Sequence, residues 1–306
     1  MHFSRIPTIE SNVLLKQQFV YEPFQIQFAN ETEELSGMAC RRADNRNSYY
    51  INEELSKERI VLHFTAGHLQ GDLITMMNPD STISVPYVIG RNGTVYQLFN
   101  PKYWAWHLGR NAIGSNSIQS PHTIAIEVSN YGYLKKIGDE LHTYHSTPST
   151  PDVYCHIEDR NVYTELETEF RGKNYFANYT DSQYESLVIL LRYLTNRFNI
   201  ERSFLPWNSR FDTTEDVLAF SGIVSHINYR NSGKWDIGPA FDWNRVEQGL
   251  AKQLPVPLPN PTTKGTRNYD HDMNLYSDSD IDTKYKLSEL TSEKEHAKHD
   301  GDGPNH

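Results

Sequence analysis

Two short apolar runs constrain this chain more than any other feature. Ile60-Val61-Leu62-His63-Phe64 and Ile124-Ala125-Ile126-Glu127-Val128 are nearly continuous, without the alternation of a half-exposed strand. Such runs mark strands buried on both faces, as in a sheet covered on either side. Each carries one ionisable residue, His63 or Glu127, close to its C-terminal end. A third run, Gly222-Ile223-Val224-Ser225, leads directly into His226. Val85-Pro86-Tyr87-Val88-Ile89 and Thr94-Val95-Tyr96-Gln97-Leu98-Phe99 flank Gly90-Arg91-Asn92-Gly93, whose Asn-Gly pair supplies the left-handed backbone of a tight hairpin. Thr180-Asp181-Ser182-Gln183 reads as a capping box, in which the Thr hydroxyl and the Gln side chain satisfy orphan helix donors. Behind it Tyr184, Leu187, Val188, Leu191, Leu194 and Phe198 share one helical face. Strands interleaved with helices predict an α/β fold with a mixed central sheet flanked by helices.

Not all of the 306 residues belong to such a core. Hydrophobic residues make up 37% of the chain, below the roughly 45–50% of globular domains, although that reference also counts Gly. Part of the deficit lies at the C-terminus. Leu254-Pro255-Val256-Pro257-Leu258-Pro259-Asn260-Pro261 favours an extended polyproline conformation. From Leu254 to His306 there are ten acidic and six basic side chains and few aliphatic ones. Such a segment buries too little apolar surface to offset its ordering entropy. The expected division is an N-terminal extension over 1–57 packed on the main domain, a main domain over 58–252, and a Pro-rich linker with an acidic, mostly disordered tail over 253–306, with a short helix near Lys284–Glu295. In the extension, Phe19-Val20-Tyr21 and Phe24-Gln25-Ile26-Gln27-Phe28 read as short strands, and the polar stretch 30–49 as surface chain. Residues 130–179 show little periodicity and many Tyr and His, and read as a partly ordered insertion near a binding surface.

Charge and composition exclude several classes of function. With 29 Lys+Arg against 39 Asp+Glu, the net charge of −10 opposes nonspecific nucleic-acid binding, which needs basic surface. No stretch of about 18 apolar residues exists to span a membrane. Two cysteines, Cys40 and Cys155, cannot build a disulfide framework, and read as unrelated thiols or at most one bridge. Met1–Pro7 lacks the apolar core of a secretory signal, so the expected location is the cytoplasm or, by a signal-independent route, outside it.

Three residues stand where a rigid scaffold places metal ligands. His63 lies within one buried strand, His226 closes another, and Asp236 follows in Gly233-Lys234-Trp235-Asp236-Ile237-Gly238-Pro239, a loop fixed by Gly and Pro. A strand histidine alone is more often a hydrogen-bonded core residue, and the His-x9-Asp spacing arises by chance. Their joint placement is what singles them out. Two His and one Asp leave a fourth tetrahedral position of zinc open, the catalytic rather than the structural arrangement.

The sequence also resembles a known family. Six segments match it in order: Val61-Leu62-His63-Phe64-Thr65-Ala66-Gly67; Ser84-Val85-Pro86-Tyr87-Val88-Ile89 with Asn92-Gly93-Thr94-Val95-Tyr96-Gln97; Ala105-Trp106-His107-Leu108-Gly109; Ile124-Ala125-Ile126-Glu127-Val128-Ser129-Asn130; Val224-Ser225-His226; and Lys234-Trp235-Asp236-Ile237-Gly238-Pro239-Ala240-Phe241-Asp242-Trp243. Over about 58–250 the chain resembles the zinc-dependent N-acetylmuramoyl-L-alanine amidases, which share their fold with peptidoglycan recognition proteins. The resemblance implies one Zn2+ per chain held by His63, His226 and Asp236, Glu127 as general base and Lys234 stabilising the oxyanion. It implies a peptidoglycan or muropeptide substrate, cut at the amide joining the lactyl group of N-acetylmuramic acid to L-alanine. The matching segments also offer Trp106, His107 and Tyr87 as substrate-binding candidates, His107 being equally readable as a stacked structural histidine. Thr65 either orients a ligand or satisfies the strand end. His68, His122, His142, His145 and His156 lack motif support and read as surface residues.

Two departures from the family pattern bear on the cleft. Many relatives have His where this chain has Pro86, and Asp-Pro-Gly where it has Asp236-Ile237-Gly238-Pro239. Members using a catalytic tyrosine have it nearest Val85, which points to the Glu127 chemistry instead. The competing reading is a non-catalytic module that binds peptidoglycan. Such relatives typically lack a metal ligand, whereas this chain has all three. Oligomeric state is not legible.

Overall fold

The computed structural model describes residues 4–12, 18–27 and 34–251. Its strands are β1 (Phe19–Gln27), β2 (Glu34–Arg42), β3 (Arg59–Phe64), β4 (Tyr87–Ile89), β5 (Val95–Gln97) and β6 (Thr123–Val128), followed by β7 (Tyr133–Ile137), β8 (Glu140–His142), β9 (Val153–His156), β10 (Tyr163–Phe170), β11 (Lys173–Ala177) and β12 (Gly222–Ser225). The helices are α1 (Ile6–Ser11), α2 (Leu69–Met76), α3 (Asn116–Gln119), α4 (Asp181–Phe198), α5 (Trp207–Arg210) and α6 (Trp243–Ala251). A seven-stranded mixed sheet has the order β1-β2-β5-β4-β6-β3-β12. The predicted α/β class and mixed central sheet are therefore present.

The two apolar runs lie at the centre of this sheet. β6 runs parallel to both β3 and β4, and β3 runs parallel to β12. Side chains alternate across a strand, and the core divides accordingly. Ile60, Leu62, Ile124, Ile126 and Ile223 pack with α4 and α6 through Leu187, Leu191, Val246 and Leu250. Val61, Val224 and Ala125 face the other way, toward Leu108 and Leu205 or toward α2. His63 and Glu127 fall on the same alternation as Val61 and Ala125. They therefore leave the sheet on the side opposite α4. The predicted capping box starts α4: Thr180 Oγ1 accepts from Gln183 N, and Gln183 Oε1 accepts from Thr180 N.

Three expectations are corrected. Residues 19–27 form one strand rather than two, running through Pro23, which an edge strand tolerates. Part of the polar stretch 30–49 is not surface chain but β2, paired with β1 on one side and β5 on the other. Leu35 and Ala39 supply its buried face, and Phe24 lies over Gly37, where any side chain would collide with the ring. Residues 130–179 hold a complete antiparallel sheet of order β10-β11-β7-β8-β9. Its small core uses Tyr131, Leu134, Leu141, Tyr154, Cys155 and Tyr163, while Glu165, Glu167 and Glu169 of β10 face solvent. Cys40 and Cys155 are both buried, and they form no disulfide with each other. Among the described residues no helix is long and apolar enough to cross a membrane. The linker, tail and short helix expected over 253–306 lie outside the described residues.

Candidate active site

Strand register alone brings three of the predicted residues together. His63 in β3 is the direct partner of Glu127 in β6. Ser225 at the end of β12 pairs with Leu62, so His226 emerges level with His63. All three stand at the carboxyl ends of adjacent parallel strands, about 4.8 Å apart from one to the next, where open α/β sheets place their ligands. Asp236 arrives from the loop after β12, where Ile227 N donates to Asp236 O at 3.1 Å. Its Oδ2 lies 3.1 Å from His63 Nδ1 and 2.9 Å from His226 Nδ1. The three ligand atoms lie within 4.8 Å of one another, and all three residues are buried.

The surrounding hydrogen bonds decide the tautomers. Thr123 Oγ1 gives its proton to the carbonyl of Ser120 or Gln119, and so accepts from His107 Nε2 at 2.7 Å. His107 Nδ1 is then an acceptor, and His63 Nε2 donates to it at 3.1 Å. That leaves His63 Nδ1 as a bare lone pair facing the Asp236 carboxylate. His226 arrives at the same state by a shorter path, since its Nε2 donates to Leu108 O at 3.0 Å. Burial pushes the His226 imidazole down to about 4 against the pull of Asp236, so at neutral pH the ring carries one proton, not two. Two lone pairs and an anionic oxygen converge on one point, and that is the donor set a divalent cation needs. Tetrahedral zinc requires donors roughly 3.3 Å apart, from bond lengths of about 2.0–2.1 Å. The two separations from Asp236 Oδ2 lie within a few tenths of an ångström of that value, and the donor types are those the metal takes.

Electrostatics around this point are asymmetric. Burial pushes the Asp236 carboxyl up, but the groups around it, His226 first and then His63 and Lys234, hold it below the usual carboxylate range. Glu127 goes the other way. Burial first, then the carboxylates of Asp236 and Asp72, raise it well above its ordinary value against the pull of Lys234. Its Oε2 is buried and has no hydrogen-bond partner among the described residues. An unsatisfied buried carboxylate oxygen is costly and calls for a ligand or reactant beside it. Asp72 is also raised, to about 6, by burial, and accepts from Ser129 Oγ at 2.6 Å.

The cleft over this centre has a volume of about 320 Å³, at the lower end of ligand-sized pockets. His63, Glu127, His226, Lys234 and Asp236 form its floor and rim. One wall is Met76, Ile83 and Val85; the other is Tyr133 of β7 with Tyr144 and His145 of the β8–β9 connection, and Trp235 alongside. The Tyr133 ring lies 4.7 Å from that of Trp235. Of the substrate-binding candidates, Tyr87 does not reach the cleft: it is buried in the core beneath α4. Trp106 is likewise buried, edge-on to Trp104 at 4.9 Å, and does not line the cleft. His107 lines the cleft but spends both ring nitrogens on His63 and Thr123. Thr65 Oγ1 joins the end of β3 to Asn130. His145, read as surface, lines the cleft, and His142 is buried between Ser146 and Glu140. No motif marks Tyr133, Tyr144 or His145, and only the Tyr and His richness of 130–179 pointed to that wall.

A mixed sheet that gathers a His, His, Asp set and a further carboxylate at its strand ends presents residues that could hold a metal ion beside an ionisable group. Residues 54–239 match the family model of the N-acetylmuramoyl-L-alanine amidases, and the chain belongs to that family, whose members are hydrolases of amide bonds. No curated protein matches it. Among solved structures it is similar to a selenomethionine derivative of AmpD, with 16% identity, 66% of this chain and 90% of that one covered, and a TM-score of 0.39. It is also similar to the amidase AmiD from E. coli, solved with anhydro-N-acetylmuramic acid-L-Ala-D-gamma-Glu-L-Lys, at 20% identity, 65% and 59% coverage and a TM-score of 0.41. A third is the amidase LysC from Clostridium intestinale URNW, at 15%, 66% and 91%, and 0.36.

Proposed function

We propose that this chain is a zinc-dependent N-acetylmuramoyl-L-alanine amidase, with one Zn2+ held by His63, His226 and Asp236. The catalytic unit is 58–252, and the bond cut joins the lactyl group of N-acetylmuramic acid to L-alanine in peptidoglycan or muropeptides. The observation that carries the reading is the convergence of two imidazoles and a carboxylate beside a buried Glu127 oxygen that has no partner among the described residues. When bound, zinc supplies Lewis acidity to the amide carbonyl and lowers the pKa of a water toward ~7. Glu127 takes the proton of the attacking water and returns it to the leaving nitrogen. A raised carboxyl pKa suits that shuttle, because the base must later act as an acid near neutral pH. Lys234, on the cleft rim, faces the carbonyl oxygen as it gains charge, an interaction worth about 3 kcal/mol in a water-poor site. His107 and Leu108 O fix the ring orientations of the two histidines.

The test uses purified muropeptides, zinc-loaded full-length chain and a His226→Ala control, read by mass spectrometry. Release of stem peptide beginning at L-alanine, abolished in the control and by chelation, is expected. Intact muropeptide in the presence of bound zinc would instead support a module that binds peptidoglycan without cutting it.

A further inference from the structure

The hairpin joining β10 to β11 turns through two residues, Arg171 and Gly172, both with positive φ (49° and 75°). Its tip does not end in solvent. Arg171 Nη1 donates to Arg230 O and to Lys234 O, each at 2.8 Å. Nη2 donates to Thr213 Oγ1 at 3.2 Å and to Ile227 O at 3.4 Å. Trp235 Nε1 donates back to Arg171 O at 3.0 Å. The preceding Phe170 packs on Gly238, where an added Cβ would lie 2.6 Å from the ring.

The carbonyls at 227, 230 and 234 all belong to the stretch between His226 and Asp236. That stretch contains Asn231, Ser232 and Gly233, three consecutive exposed residues with little packing of their own. It must nevertheless deliver the Asp236 carboxylate to two imidazoles and the Lys234 side chain to the cleft. A guanidinium is suited to the task because its planar fork serves several carbonyls at once in fixed directions, which a lysine ammonium cannot do. The positive φ at Arg171 aims the side chain from the second sheet across to this loop.

We propose that Arg171 is a positioning residue: through the 227, 230 and 234 carbonyls it clamps the 226–236 loop, so that metal affinity and turnover depend on a side chain from the second sheet. The proposal rests on the zinc amidase reading above. The experiment compares wild type, Arg171→Met and Arg171→Lys as full-length chains. Zinc affinity is read by competition with a chromophoric chelator, the ligand field by the absorption of Co2+ at the site, and kcat and KM separately on muropeptide.

Arg171→Met is expected to weaken zinc binding about 10-fold or more, in the range typical of groups that orient metal ligands. It should also alter the Co2+ spectrum and lower kcat more than it raises KM. Arg171→Lys should recover part of each loss. A folded Arg171→Met with zinc affinity, Co2+ spectrum and kcat within twofold of wild type overturns the proposal. Should Arg171→Met not fold, Arg171→Lys carries the test: wild-type zinc affinity and kcat in that variant overturn the clamp. Wild-type chain that binds no zinc overturns the metal-site reading itself, and the clamp with it.

Discussion

Glu127→Gln should separate function from stability within one residue. The change preserves shape and removes the ionisable proton. In the zinc-loaded chain it deletes the proposed base, so kcat/KM on muropeptide should fall by roughly 10²–10⁴-fold, or about 3–5 kcal/mol of transition-state stabilisation. In the metal-free chain the same change should stabilise the fold. Glu127 is 7% exposed, its Oε2 has no described partner, and Asp236 and Asp72 repel its charge. The sign follows from linkage. A carboxyl raised on folding contributes stability below its unfolded value near 4.3, and that contribution is lost as pH rises toward its folded value. Each pH unit inside that window costs at most about 1.4 kcal/mol, so the advantage of Gln over Glu should widen by up to about 2.7 kcal/mol across two units. Urea unfolding of both chains in EDTA at pH 5, 6 and 7 measures the gap. An advantage that stays constant over that range, or a variant retaining a tenth of wild-type activity, would refute the reasoning.

Three further outcomes are expected. His107→Phe keeps a ring but removes the acceptor for His63 Nε2; zinc affinity, read by chelator competition, should drop about 10-fold, and unchanged affinity would exclude the tautomer argument. Zinc at a thousand times its dissociation constant should raise stability by about 4 kcal/mol, scaling with the logarithm of concentration; a melting temperature insensitive to zinc would contradict a preformed His63, His226 and Asp236 site. Lys57 is buried beside Pro121 O, and burial pushes it down to about 7 against the pull of Glu53 and Glu54. Between pH 7 and 10 the unfolded chain binds the extra proton, so wild-type stability rises with pH, and the advantage of Lys57→Met should shrink by up to about 1.4 kcal/mol per unit. A gap independent of pH would show that Lys57 is not the titrating group.

What was legible in the sequence was whatever repeats locally. Buried parallel strands declare themselves as unbroken apolar runs, and the start of α4 by its capping box. The proposed metal set was legible because His63 and His226 sit at the ends of such runs. The second sheet was not, because its strands put tyrosines inward and glutamates outward, a pattern close to that of a polar loop. β2 escaped for a related reason: Gly37 leaves room for Phe24 of the neighbouring strand, a packing relation that no single-strand pattern contains. The motifs around Tyr87 and Trp106 point to the cleft, but alternation turns Tyr87 to the α4 face and Trp106 packs against Trp104 in the core. His107 was found, but its task was visible only through Thr123, sixteen residues away in sequence.

The separation of the ligands along the chain has a consequence for how this protein is made. His63 and Asp236 stand 173 residues apart. A ribosome emitting the chain from its N-terminus would finish β3, β4, β5 and β6 long before the last ligand emerged. Closing a loop of that length carries an entropic cost of about 5 kcal/mol, which the tertiary fold must meet before any ion can be gripped. No N-terminal fragment that ends before Asp236 holds the set, so on the proposed mechanism such a product would be catalytically silent. For a hydrolase whose target is proposed to be a structural polymer of the cell, competence would then arrive only when translation has passed Asp236.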